Sequence, residues 1–400
     1  MTALQLAGLD VAFPEHARHC LGGPVDLVPE DLFAVHQKFA LHPRPQRARG
    51  VTPGLPSASV DMPQGGAMDI KVGTFNVLNL ARPGETFYPD DRPYSLAEFD
   101  RKADWIAEQL RRMDADVVGF QEVFHVEALQ EVCKRSGLYA AGTVVAPGAD
   151  GASGPLLGLA TRLPVTEAAT TIDTFPAGVD VAAEGVALPV GNFSRPVLRA
   201  RLRLDETREV TVFVVHLKSK RPILADGADD HDPREEALGK ARSLIRRASE
   251  AAALRFLVLD EIVGNTRAAV VLGDLNDGAR AVTTDIVMGD EPSRFWPRPN
   301  QKPAYWDRVL YSAHEINSRL AGRDVSYTHI FNGRYENLDH ILVSQEFYDR
   351  NPQRIGEVAN VRYFNDHLFD SRLSDDDRDR IASDHAQLVA ELRLRPAPTG

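Results

Sequence analysis

Six apolar, β-like runs in this chain meet the same few polar residues at their ends, and that recurrence limits the folds open to it. The residues are Asn76; Gln121 and Glu122; His216 with Lys218; Asp274 with Asn276; Asp339 and His340; and Ser383, Asp384 and His385. The most informative run is residues 270–279, where Val270, Val271 and Leu272 lead to Gly273, Asp274 and Asn276. An apolar run that breaks at a glycine reads as a buried strand reaching the rim of a sheet. Positions two apart on an extended chain face the same way, so Asp274 and Asn276 are expected to point together beyond the strand end. A carboxylate there meets a hard cation, and a neutral amide donates to a phosphoryl oxygen. Alone, Asn276-Asp277-Gly278 is an ordinary turn. Five more strand ends of the same kind argue for a site.

Periodicity elsewhere alternates strands with helices. Residues 70–77 alternate as a strand, 96–113 have helical spacing with Trp105, Ile106, Leu110 and Met113 on one face, and 116–123 form a second strand. Residues 127–136 read as a helix ended by Gly137, and 156–160 with 164–171 as a hairpin. A half-exposed strand is expected at 197–204 and a buried one at 210–217. An acidic loop, 225–233, leads into a helix over 234–255; later strands fall at 341–343 and 386–392. Strands outnumber the helices that recur between them, which argues for sheets beneath helical outer layers.

Residues 1–68 differ in character. They are rich in Pro and Gly, with one short helix expected near 29–39, and read as an extension and linker before a catalytic domain over 69–396. Apolar residues such as Leu32 and Phe33 suit docking on the main domain or self-association with a second subunit. A net charge of −11 excludes a basic protein that coats nucleic acid, though not a nuclease with a local basic cleft. Cys20 and Cys133 stand far apart, so neither a disulfide framework nor a cysteine zinc site is implied. The first residues lack the basic and apolar segments of a secretory signal, and no run nears the ~18 apolar residues of a membrane span. A soluble cytoplasmic protein is the expectation.

The strings from Thr74-Phe75-Asn76 to Ser383-Asp384-His385, roughly the last four-fifths of the chain, resemble the endonuclease/exonuclease/phosphatase superfamily of metal-dependent phosphoesterases. The resemblance implies an α/β fold, a four-layer αββα sandwich of two packed, mostly antiparallel sheets with outer helices. Its site would lie at one end of the sheets. Glu122 would be the main carboxylate ligand of Mg²⁺ or Mn²⁺, with Asn76 close by and Asp384 touching the metal or its water. His385 would act on the in-line water, and Asp339 would hold the other imidazole nitrogen and fix its tautomer. Asp274 would orient the water and Asn276 bind a non-bridging oxygen. His216 would approach the scissile phosphate and protonate the leaving oxygen, while Lys218 offsets phosphate charge.

One string competes with this assignment. Pro303-Ala304-Tyr305-Trp306-Asp307-Arg308 is similar to the inositol-phosphatase sequence whose aspartate pairs with the catalytic histidine, but Tyr305 stands where that sequence has Trp. Asp339 lies closer to the final Ser-Asp-His and is preferred; Asp307 is assigned to a helix start or a helix–loop contact. His340 faces the opposite side of its strand and is expected to be merely packed or exposed.

Within the superfamily, His216 and the run 325–334 favour a DNase I-like nuclease. Arg195, Arg199, Arg201 and Arg203 are candidates for a face that binds a nucleic-acid backbone. The acidic charge and the loop 226–232 oppose it, which leaves a phosphatase or phosphodiesterase for a small molecule or lipid headgroup as the alternative. No segment reads as an exposed aromatic hairpin for membrane docking. A non-catalytic binding module is disfavoured, since Asn76, Glu122, His216, Asp274, Asn276, Asp339, Asp384 and His385 are all present.

Overall fold

The structure, a computed structural model, describes residues 68–396 except 89–90, 140–143, 146–153, 184–185, 188–189, 291–305, 321–325 and 371–379. The extension and its expected helix lie outside the described residues. The first half runs β1 (Asp69–Leu80), α1 (Leu96–Met113), β2 (Val117–Val123), α2 (Val126–Ser136), β3 (Val144–Val145), β4 (Leu156–Thr161), β5 (Val165–Thr174), β6 (Ala182–Ala183), β7 (Val186–Ala187), β8 (Asn192–Arg203) and β9 (Glu209–His216). There follow α3 (Pro233–Ile262), β10 (Ala268–Asp274), α4 (Val282–Met288), β11 (Tyr311–Ser312), α5 (Ala313–Leu320), β12 (His329–Phe331), β13 (Arg334–Glu336), β14 (Asp339–Val343), β15 (Gly356–Phe364) and β16 (Gln387–Leu394).

Two six-stranded sheets result, ordered β15-β16-β1-β2-β4-β3 and β11-β14-β10-β9-β8-β5. Each holds one parallel pair, β1 with β2 and β9 with β10, among antiparallel neighbours. Side-chain alternation explains the layers. On β10, Val270 and Leu272 enter a core shared by both sheets, with Val72, Val117, Leu159, Val212 and Val214. The alternate residues Ala269 and Val271 face outward under α3, against Leu254 and Val258. On the first sheet, Phe75, Val118 and Phe120 are covered by Ile106, Leu110 and Leu129 of α1 and α2. The fold is therefore the four-layer sandwich, and each fully buried large apolar side chain contributes about 1.5–3 kcal/mol.

The two sheets approach so closely at Gly119 that a Cβ there would lie 3.0 Å from Val214. Helix α1 begins where the Ser95 hydroxyl accepts from the Glu98 amide and the Glu98 carboxylate accepts from the Ser95 amide, a capping box. The expected hairpin of 156–160 with 164–171 does not form. β4 lies between β2 and β3 in the first sheet, whereas β5 pairs with β8 at the edge of the second. Both edges of β4 are taken, so Arg162, Leu163 and Pro164 carry the chain across to the other sheet. α3 also runs seven residues past its expected end at 255, to Ile262.

Candidate active site

Topology alone gathers the site. Parallel strands β1 and β2 end together, as do β9 and β10, while antiparallel β14 and β16 begin at the same edge. Register does the fine placement: Asp274 is paired with His216 on one side and with Asp339 on the other. Ser383 ties the final loop across the gap, donating to the Asn76 carbonyl at 2.6 Å and accepting from the His385 amide at 3.0 Å. Thr328 does the same for β14, its hydroxyl accepting from the amides of Leu338 and Asp339.

Backbone conformation then turns the side chains inward. Leu78, Asn79, Glu122 and Asn276 all have positive φ, between 51° and 64°, a conformation that non-glycine residues adopt at a cost and that concentrates at functional sites. Gly273, at φ 148°, packs so tightly that a Cβ would sit 2.0 Å from the Val215 carbonyl oxygen. Asp274 and Asn276 are thus brought together by a left-handed turn and not by an extended strand. The Asn276 amide N–H donates to Asp274 Oδ1 at 2.7 Å, and its side-chain amide donates to the Leu217 carbonyl at 2.9 Å.

Around Asp274 the contacts are dense. His385 Nδ1 donates to Asp339 Oδ2 at 2.8 Å, and its Nε2 lies 3.9 Å from Asp274 Oδ2. His216 Nε2 is 3.4 Å from the same oxygen. The Asn76 side-chain amide donates to both Glu122 Oε1 and Asp274 Oδ2, each at 3.3 Å, and the Asn79 amide donates to Glu122 Oε2 at 3.1 Å. His329 Nε2 stands 3.8 Å from Asp384 Oδ2.

Protonation follows from that crowding. Burial raises Glu122, and the neighbouring charge of Asp384 raises it further. Burial likewise raises Asp274, reinforced by Asp339 and Glu122 and opposed by His385. For His385, burial favours the neutral ring, but Asp339, Asp274 and Asp384 together lift it well above its ordinary value. His216 moves the other way, held neutral by burial and by the charges of Arg195, His385 and Lys218. The ring expected to give up a proton to the leaving oxygen is therefore better suited to donating an N–H hydrogen bond.

The donor set fits a hard divalent cation. Its groups are carboxylate and amide oxygens with imidazole, repelling carboxylates are confined together, and Asp339 Oδ1 and Asn79 Oδ1 are buried without partners among the described residues. His329, Asp384 and His385 offer ligand atoms within 4.8 Å of one another, as do Asp274, Asp339 and His385.

Other expected residues sit differently. Lys218 Nζ donates to the Ser219 and Arg221 carbonyls and the Ser219 hydroxyl, so it pins its own loop; burial and Arg195 lower it to about 8. Arg199 and Arg201 pair with Glu261, while Arg195 donates to the Leu217 carbonyl beside His216. His340 is buried and bonded to the Asp277 carbonyl at 2.9 Å. Asp307 accepts from the Gly264 amide at 3.0 Å. Hence Asp307→Asn should leave kcat within about twofold, whereas Asp339→Asn should lower it about 10²–10³-fold by freeing the His385 tautomer. Steady-state kinetics of the two variants would decide; the reverse ranking makes Asp307 the histidine's partner.

Sequence reading missed the supports on α3. Glu250, buried, accepts from the Ser194 and Lys218 amides at 2.8 and 2.7 Å, and buried Arg247 binds the Lys218 carbonyl and Asp277. Both occupy apolar-face positions of a helix whose Ala251, Leu254 and Val258 are buried, and a charge on such a stripe is the signal.

A sandwich with carboxylates, amides and histidines gathered at one end of its sheets defines a metal-dependent phosphoesterase. The chain belongs to the Endonuclease/Exonuclease/phosphatase family, whose profile matches residues 73–385. No curated protein sequence matches it. Among solved structures it is similar to the endonuclease/exonuclease/phosphatase from Bacteroides vulgatus, at 18% identity over 82% of this chain and 100% of that one, TM-score 0.47. It is also similar to a humanized D. rerio TDP2 carrying 14 mutations, at 16% identity over 82% and 99% of the two chains, TM-score 0.48. A functionally unknown conserved protein from Enterococcus faecalis V583 shares 13% identity over 82% and 100%, TM-score 0.46.

Proposed function

We propose that the protein is a nuclease that hydrolyses a phosphodiester by in-line attack of water. The observation carrying this reading is the line Asp339–His385–Asp274, with neutral His216 approaching the same Asp274 oxygen. Asp339 fixes His385 with Nε2 facing Asp274; His385, held protonated by its carboxylate neighbours, would orient a water between them, and the Asp274 carboxylate would take its proton. Asn276 would bind a non-bridging oxygen, and His216 would donate its N–H to the phosphoryl group as charge develops. Glu122 and Asp384 would hold Mg²⁺ or Mn²⁺, which when bound polarises a phosphoryl oxygen and offsets leaving-group charge. Asn76, expected as a ligand, turns its side-chain N–H to Glu122 and its oxygen to the Leu78 amide, and so orients the carboxylate instead. Arg195, Lys218 and Arg221 border this end of the fold and supply the local positive field that a polyanion requires of an acidic chain.

A hydrolysis panel with Mg²⁺ or Mn²⁺ tests the reading, using plasmid DNA, single-stranded DNA, RNA, bis-p-nitrophenyl phosphate, p-nitrophenyl phosphate and inositol phosphates, with Asp274→Asn as blank. Cleavage of nucleic acid and of the diester, abolished by EDTA, is expected. Turnover confined to p-nitrophenyl phosphate or inositol phosphates would make it a phosphatase. Among the described residues no helix is long and apolar enough to cross a membrane.

A further inference from the structure

The hairpin β12–β13 rises directly from the catalytic histidine and carries an aromatic ring that folding alone does not explain. His329 is bridged to His385, with ring centroids 4.8 Å apart. Two residues on and on the same face, the Phe331 ring lies 6.4 Å from that of His329 and only 21° from parallel. Phe331 is nevertheless 62% exposed. Arg334, paired in register with Phe331 and also exposed, shares that face. Glu336, in register with His329, holds Lys220 at 3.0 Å and so fastens the hairpin to the loop after His216. The turn between the strands is Asn332-Gly333, with φ 47° and 68°, the left-handed pair that two-residue hairpins favour. The ring is thus held on a short, defined hairpin beside the reaction centre, with a guanidinium next to it.

We propose that Phe331 is a stacking platform for an unpaired nucleobase flanking the scissile phosphate, and that Arg334 contacts the backbone phosphate beyond it. This rests on the nuclease reading and narrows its substrate to single-stranded nucleic acid. Single-stranded nucleic acid is bound by an exposed flat ring for the base beside a cation for the backbone, and Phe331 and Arg334 combine the two on this face. A paired base would keep its neighbours and leave the ring idle. A membrane is the poorer occupant: the other exposed ring of the hairpin, Tyr335, lies on the opposite face in register with Ile330 and packs edge-on against Tyr327.

Two strands of equal length distinguish the outcomes, oligothymidylate and an oligomer of tetrahydrofuran abasic residues with the same phosphate backbone. The wild-type protein with Mg²⁺ should favour oligothymidylate about tenfold in kcat/KM. Phe331→Ala should erase that preference by slowing oligothymidylate alone. Arg334→Ala should weaken both strands and reduce the salt slope of binding by about one. The platform is overturned if the wild type cleaves both strands equally, if Phe331→Ala keeps the preference, or if it loses the same factor on each. It is equally overturned if Phe331→Ala abolishes sedimentation with phosphatidylserine vesicles while oligothymidylate cleavage is unchanged. A wild type that hydrolyses p-nitrophenyl phosphate but neither strand sinks the nuclease reading, and the platform with it.

Discussion

Asp274→Asn is expected to lower kcat about 10³-fold, the scale of a lost acid–base group, without unfolding the protein. The carboxylate is the junction of the site: His385, His216 and Asn76 all approach its Oδ2, and the Asn276 amide fixes its Oδ1. Asparagine keeps the shape but cannot take a proton. Two opposing effects set the stability change. The Asn76 amide loses its carboxylate acceptor, which costs about 1 kcal/mol. Against that, Asp274 is raised by burial, so its ionised form is unfavourable near neutral pH and its removal relieves the fold. Melting of the metal-free variant at pH 7.5 should therefore lie within a few degrees of the wild type. His385→Ala should be as slow yet clearly less stable, because it strands the buried Asp339 carboxylate, a loss of about 3–5 kcal/mol. An Asp274→Asn enzyme that keeps its rate on every substrate would remove the aspartate from the mechanism.

What could be read in advance was local. Asn76, Glu122, His216, Asp274 and His385 each close or open an apolar run, and alternation showed that those runs would be strands. Period two places His340 on the face opposite Asp339, and there the ring is buried against the Asp277 carbonyl. Two of the differences, at β5 and at the Asp274–Asn276 pair, share one cause: they depend on partners distant in sequence or on backbone angles. β5 looked like the return arm of a hairpin until β8 supplied its edge. Asp274 and Asn276 do converge, but through positive φ at Asn276, which an alternation argument cannot contain. Lys218 turned back onto its own loop because Arg221 and Ser219 offer three oxygens there. Phe331 stands out in the sequence only as part of the run 325–334, because its strand has three residues, too few for a pattern.

Glu122→Gln should abolish tight binding of Mg²⁺, and the loss should be visible without any substrate. Removing the charged oxygen ligand is expected to weaken affinity about 100-fold or more, at least as much as losing a supporting contact. The pH dependence supplies the sharper check. Burial raises Glu122 and Asp274, and neighbouring carboxylates raise His385, so all three hold protons more tightly in the folded, metal-free protein than unfolded. The sign is the same for each. Stability present below the ordinary values of 4.5, 3.8 and 6.5 is lost as pH climbs through the raised folded values. These three groups should therefore contribute less to the stability of the metal-free wild type at pH 8 than at pH 6, against the opposite contribution of His216, His340 and His367, which burial holds neutral. A cation expels those protons, so Mg²⁺ affinity should rise with pH, and saturation at 100 times Kd should add about 2.7 kcal/mol. Isothermal titration in buffers of different ionisation enthalpy would count the protons released. Glu122→Gln should show a smaller pH dependence of melting and no shift with Mg²⁺. Proton uptake on binding, or an undiminished thermal shift in the variant, would place the metal elsewhere than at Glu122.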